Sequence, residues 1–143
     1  MGTEKPMSPP FRAEHIGSLL RPQELIDARV SCVDADDLVA DRLFNEVNAD
    51  CYFLEYDSPR AGDFSPLKML PKNKTAVLGL VSTKTAELES SDELKKRIEE
   101  ASKFTDLDKL AMSPQCGFAS DDLGNMITLD DQIAKLKLVV DSA

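Results

Sequence analysis

The sequence predicts an α/β fold built on parallel strands. Two observations carry this. The short continuous apolar runs Cys51-Tyr52-Phe53-Leu54 and Thr75-Ala76-Val77-Leu78-Gly79-Leu80-Val81 read as strands buried on both faces, the pattern of a parallel sheet. Segments of helical apolar spacing alternate with these runs, and strand–helix–strand–helix order argues for βαβ units with right-handed crossovers. The chain has 143 residues, enough for one domain with a real core. A complete (β/α)8 barrel takes about 250 residues, so the chain is too short for a whole one.

Residues 1–12 are polar and Pro-containing and read as a flexible tail, with a single domain over 13–143. Gly17 and Ser18 suggest a turn, and Pro22 suits the first turn of a helix over 23–30. The polar run 31–37 reads as a junction. A helix is expected over 37–48, where Val39, Leu43 and Val47 recur at i, i+4 and i+8 with Ala40 and Phe44 beside them. Residues 58–74, with Pro59, Gly62, Pro66 and Pro71, read as a loop. After the 75–81 strand, Ser90 and Glu93 have capping-box spacing for a helix whose buried face is Leu94, Ile98 and Ala101. Leu110-Ala111-Met112 is a third short apolar run. Thr128 and Asp131 form a second capping box, opening a last helix with Leu129, Ile133, Leu136 and Val140 on one side.

The net charge is -9 and the isoelectric point about 4.6. Lys95, Lys96 and Arg97 lie within an acidic helix, so no basic cluster points to nucleic acid. No stretch approaches the roughly 20 apolar residues of a membrane span, and the N-terminus lacks the apolar core of a secretory signal. A cytoplasmic location is the expectation. Cys32, Cys51 and Cys116 are an odd count without close spacing, which argues against a disulfide framework. By itself, each reads as a small buried residue.

In a parallel α/β fold, chemistry gathers at the C-terminal ends of the strands. Three groups fall there: Glu55 and Asp57 after the first strand, Ser82, Thr83 and Lys84 after the second, and Cys116 after the third. A carboxylate and a thiolate at neighbouring strand ends can share a zinc ion, which accepts oxygen and sulfur. His15, the only histidine, reads as a turn residue or a solvated side chain.

Four blocks carry a family resemblance. They are Phe11-Arg12-Ala13-Glu14-His15-Ile16-Gly17-Ser18-Leu19-Leu20-Arg21-Pro22; Tyr52-Phe53-Leu54-Glu55-Tyr56-Asp57 with Arg60-Ala61-Gly62-Asp63-Phe64 and Pro66-Leu67; Leu78-Gly79-Leu80-Val81-Ser82-Thr83-Lys84-Thr85; and Leu110-Ala111-Met112-Ser113-Pro114-Gln115-Cys116-Gly117-Phe118. Together, and in this order, they resemble segments of the catalytic barrel of the cobalamin-independent methionine synthase family. The resemblance implies a partial, internally shortened (β/α)8 barrel of parallel strands. It implies zinc as cofactor, with a homocysteine-type thiol and a methyl-folate as small-molecule partners. Zinc lowers the thiol pKa and holds a thiolate ready to attack the methyl group. Glu55 matches the family's zinc-binding Glu and Cys116 its last zinc-binding Cys. Ile16, Gly17 and Ser18 match the turn that holds the amino-acid part of the substrate.

The family's His-x-Cys ligand pair belongs between that turn and the Glu strand. The interval from Asp27 to Cys51 contains no His, and Cys32 stands beside the junction. Catalytic zinc usually keeps three protein ligands, so three functions stay open: the family's methyl transfer, a non-catalytic binding or assembly role, and a recruited small-molecule enzyme using Glu55, Asp57 or His15 as acid or base. Missing barrel units would leave open strand edges and uncovered apolar faces, which predicts a homo-oligomer or association with a larger partner.

Overall fold

The structure, a computed structural model, describes Gln23, Asp27, residues 35–119 and residues 124–143. The tail 1–12, His15, Ile16, Gly17, Ser18 and Cys32 lie outside the described residues. Gln23 and Asp27 are helical, and the Gln23 amide donates to the Asp27 carboxylate at 2.9 Å.

Three helices and three strands follow in chain order: α1 (Ala35–Glu46), β1 (Cys51–Glu55), β2 (Thr75–Val81), α2 (Ser91–Ala101), β3 (Leu110–Pro114) and α3 (Leu129–Ser142). The strands form one parallel sheet in the order β1-β2-β3. β2 is central, and its residues from Ala76 to Val81 are all buried, as its unbroken apolar run predicts.

Strand pairing assigns the two faces. Tyr52, Leu54, Ala76, Leu78, Leu110 and Met112 share one face; Phe53, Glu55, Val77, Gly79, Ala111 and Ser113 share the other. The first set packs within or against the core formed with Ala40, Phe44, Leu94 and Ala101. β1 departs from the expected double burial, because Phe53 is 73% exposed. A strand at the sheet edge has a neighbour on one side only, and Phe53 stands on the face opposite the one that packs into the core.

α1 starts and ends two residues earlier than its spacing predicts. Ala40 and Phe44 are buried, whereas Val47 lies beyond the helix and is exposed. A cation and a phenol close its end. Lys74 Nζ donates to the carbonyls of Phe44 (2.7 Å) and Val47 (2.8 Å) and to the Tyr52 hydroxyl (2.9 Å). These are the free carbonyls and the negative dipole end that every helix leaves behind. The Tyr52 ring meets Phe44 edge-on, with centroids 5.0 Å apart.

The Pro-rich segment between β1 and β2 is more than a loop. It makes 3-10 turns at Pro59–Ala61 and Ser65–Met69, and Phe64, Leu67 and Leu70 are buried core residues. α2 buries Leu94 and Ala101 as predicted, with Ile98 half-buried. Its expected Ser90–Glu93 capping box does not form, since the Ser90 side chain makes no cap hydrogen bond. Asp92 and Glu93 place negative charge in the first turn instead, where the helix dipole favours it.

The Thr128–Asp131 capping box is present. The Asp131 amide donates to Thr128 Oγ1 (3.2 Å), and the Thr128 amide donates to Asp131 Oδ2 (2.9 Å). The face that α3 buries is not the apolar stripe. Lys135 and Ser142 are buried, and Leu138 and Val139 pack against the core. Leu129, Ile133, Leu136 and Val140 are all at least 42% exposed. The face is set by tertiary contacts: Lys135 Nζ reaches the carbonyl of Glu87 and, at 2.9 Å, Glu89 Oε2, while Ser142 Oγ lies 2.9 Å from Ser91 Oγ on α2. No helix among the described residues is long and apolar enough to cross a membrane.

The Asp131 carboxyl is held below its ordinary value of 3.8, first by the Thr128 hydroxyl and then by the Thr128 amide. A depressed carboxyl contributes stability above its unfolded pKa and loses it as pH falls through the folded value. Thermal melts from pH 6 down to pH 3 are therefore expected to show a shallower acid-side fall in Tm for Asp131→Asn than for the parent chain.

Candidate functional site at the strand ends

The C-terminal ends of the three strands lie side by side because parallel pairing aligns Glu55 with Gly79 and Gly79 with Ser113. Gly79 is the pivot. A Cβ there would stand 3.0 Å from Gln115 Nε2 and 3.1 Å from the Leu54 carbonyl. The missing side chain lets the Gln115 amide lie against the strand and donate to the Gly79 carbonyl at 2.7 Å. The Gln115 backbone amide donates to the Val81 carbonyl at 2.9 Å, and the register shifts between Gly79 and Val81. Two bonds thus fix the turn that carries Cys116.

Two further clamps hold the loops. Asn125 Nδ2 donates to the Thr83 carbonyl (2.8 Å) and the Gly117 carbonyl (3.1 Å), joining the loop after β2 to the loop after β3. Glu89 Oε1 accepts the Ser82 amide at 2.7 Å while its other oxygen takes the buried Lys135 ammonium. The segment between Ser82 and Glu89 is therefore tied at its start to its own end and to α3.

On this frame sit the charged groups. Lys84 Nζ lies 3.3 Å from Glu55 Oε1 and 3.3 Å from Asp57 Oδ2. The hydrogen bond to Glu55, then that to Asp57, and then the charge of Asp57 hold the Lys84 ammonium above the ordinary lysine value. Glu55 and Lys84 are exposed, whereas the Asp57 side chain is buried. Cys116 is also exposed, contrary to the expectation of a buried thiol, and Cys51 is half-buried. Cys116 Sγ lies 3.9 Å from Gln115 Oε1.

Behind Asp57, the Tyr56 amide donates to the Gly79 carbonyl at 3.1 Å. The Tyr56 ring packs on Phe64 with centroids 4.5 Å apart, and Arg97 lies over the Phe64 ring at 4.6 Å. Burial, followed by the charge of Asp63, raises the Tyr56 phenol above its ordinary value, partly offset by Arg97.

The structure thus places Glu55 and Asp57 at the end of β1, Ser82, Thr83 and Lys84 after β2, and Cys116 after β3, so that β2 separates Glu55 from Cys116 instead of their lying at neighbouring strand ends. Among the described residues no group of three or more His, Cys, Asp or Glu side chains could hold a metal ion. Glu55 and Cys116 offer two donors, one of them already paired with an ammonium, and this set alone does not fit a catalytic zinc. The sequence reading missed Gln115, Asn125, Glu89 and Lys135. A glycine inside an otherwise apolar strand was the available signal for Gln115, since it often marks close approach by another group. An apolar cavity of about 450 Å³ lies away from this site, between α2, β3 and the end of α3, lined by Ile98, Leu110 and Met112 among others.

The model for the catalytic domain of cobalamin-independent synthases matches residues 26–143. The chain belongs to this family. It is 49% identical over 108 residues to the uncharacterized protein YxjG of Bacillus subtilis (strain 168), and 47% identical over 108 residues to YxjH of the same strain. Each match covers 75% of this chain and 29% of the relative, so the chain spans under a third of the length of these relatives. Among solved structures it is similar to one named as a vitamin-B12-independent methionine synthase from Listeria monocytogenes. The TM-score is 0.53 and the identity 36%, over 73% of this chain and 29% of that one. It also resembles a B12-independent methionine synthase from Shewanella sp. W3-18-1 in complex with selenomethionine, with TM-score 0.61 and 21% identity over 76% and 29% of the two chains. The second likeness supports the fold alone. The three parallel strands are thus an open part of the barrel fold of these proteins.

Replacing Gly79 tests the pivot. Gly79→Ala is expected to destabilise the fold by about 1–3 kcal/mol through overpacking. Denaturant melts measure that loss, and faster alkylation of Cys116 by iodoacetamide would report the released Gln115 turn.

Proposed function

We propose that the chain binds a homocysteine-type thiol at the C-terminal ends of its strands and serves cobalamin-independent methyl transfer from a methyl-folate to that sulfur. The observation that carries this reading is the family match across 26–143, with Glu55 and Cys116 both at the strand ends. In the transfer, the thiolate sulfur forms a bond to the methyl carbon as the carbon–nitrogen bond to the folate breaks. The nitrogen keeps the electron pair and takes up a proton. Zinc, as the family resemblance implies, would supply thiol activation, and Glu55 and Cys116 are the residues of this chain that would hold it. The described donors fall short of a three-ligand site, so no step is assigned to the metal. The turn Ile16-Gly17-Ser18 is the proposed contact for the amino-acid part of the substrate.

A second reading, a non-catalytic binding or assembly role, draws support from two observations. The ammonium of Lys84 already occupies Glu55. The apolar stripe of α3 and Phe53 of β1 are exposed, and exposed apolar surface favours association.

Two measurements separate the readings. For the zinc-assisted enzyme, atomic absorption on purified protein is expected to give close to one zinc per chain, lost in Cys116→Ala, with homocysteine methylated in the presence of methyl-folate. Well-folded protein without zinc removes thiolate activation and leaves the binding role. For that role, light scattering is expected to give a mass above 15.7 kDa; a strictly monomeric particle counts against self-association.

A further inference from the structure

The two sides of α3 meet different surroundings. One side holds Lys135, Leu138, Val139 and Ser142 against the rest of the fold. It is fixed there by the Lys135 ammonium on Glu89 Oε2 and the Glu87 carbonyl, and by the contact of Ser142 with Ser91. The other side carries the exposed stripe, with Leu129 69% and Val140 74% exposed. Leu129, Ile133, Leu136 and Val140 follow one another at spacings of four, three and four residues. At about 3.6 residues per turn, they fall within roughly 60° of arc. This is the narrow seam of a coiled coil, with Leu129 and Leu136 at d and Ile133 and Val140 at a. Leucine at d with β-branched residues at a is the composition that favours two strands over three or four in parallel coiled coils. The helix thus makes its core contacts without its own seam, and an exposed apolar seam marks an interaction surface.

We propose that the seam is the interface of a homodimer, in which α3 packs antiparallel on α3 of a second copy about a two-fold axis. A two-fold interface must be complementary to itself, and this seam is. Turned antiparallel, Leu129 meets the partner's Val140 and Ile133 meets the partner's Leu136. Every layer then sets a leucine against a β-branched residue. Charge selects the antiparallel direction. Asp130 and Lys137 hold the e positions beside the seam, and both are exposed. Antiparallel pairing brings e positions of the two helices together, so Asp130 approaches the partner's Lys137, twice in each dimer. Parallel pairing would set Lys137 beside the partner's Gln132 and give Asp130 no charged partner on the facing helix. Antiparallel helices also oppose their dipoles. An isolated helix of 14 residues is marginal in water, but the contacts on its other side hold α3 formed, so pairing has little left to order. The inference rests on the assembly reading and names its surface and its partner; it makes no use of zinc or of the strand-end site.

The test is sedimentation equilibrium of the full chain over a micromolar to submillimolar series. It is expected to show reversible conversion from 15.7 kDa to twice that mass. Ile133→Lys is expected to raise the dissociation constant at least about a hundredfold, since each dimer loses two buried side chains. Circular dichroism checks that this variant stays helical. Asp130→Lys and Lys137→Asp are each expected to weaken the dimer about threefold or more. Their combination is expected to restore it, a rescue that only the crossed ion pair explains, and these charge variants carry the test even if Ile133→Lys fails to fold. A chain that stays monomeric throughout overturns the proposal and leaves the stripe to another protein or to another segment of this chain. Assembly beyond the dimer, a dimer that Ile133→Lys leaves intact, or a double charge variant as weak as the single ones also overturns it. A dimer that survives Ile133→Lys removes the α3 surface but keeps the assembly reading, whereas a strict monomer removes self-association altogether.

Discussion

β2 is the strand on which the other elements depend. Its run from Ala76 to Val81 is buried without interruption, so both its edges must be paired and its helix-side face must be covered. Parallel pairing meets the first need with β1 and β3, and it points all three C-terminal ends the same way. The helices and the 58–74 segment meet the second, with Phe44, Phe64, Leu67 and Leu94 closing the core. The grouping of Glu55, Lys84 and Cys116 follows from this arrangement, since residues just past parallel strands have nowhere else to go.

A polar frame then gives that end of the sheet a definite shape. Gln115 uses the space above Gly79, Asn125 joins two loops, and Glu89 is shared between the Ser82 amide and Lys135. Each clamp bonds backbone groups in or just past the ends of the strands. The burial of Lys135 fixes more than a loop. It decides the rotation of α3, because its ammonium can be satisfied only on the side facing Glu87 and Glu89, and a buried charge without partners is costly. The apolar stripe of the same helix is turned outward as a consequence.

The open surfaces belong to the same logic. In a closed barrel each strand has two neighbours and each helix packs beside the next. In this chain the described sheet has two edge strands, and Phe53 and the α3 stripe are exposed. The relatives are more than three times as long as the matched segment.

Much of this was legible in the sequence. The three strands, the helical spacing of Leu94 and Ala101, the Thr128–Asp131 cap and the strand-end location of Glu55 and Cys116 all follow from local pattern, because local pattern reports backbone propensity and short-range hydrogen bonding. Family membership was legible too, from four blocks of residues in order. Local pattern cannot report which face of an element meets a neighbour. The exposure of Phe53, the outward stripe of α3 and the core role of Phe64 and Leu67 were settled by partners distant in the chain. The same holds for the site's second layer: the contacts of Gln115 with Gly79, of Asn125 with Thr83 and of Lys135 with Glu89 each span more than thirty residues, and only the folded sheet brings those pairs within hydrogen-bond reach.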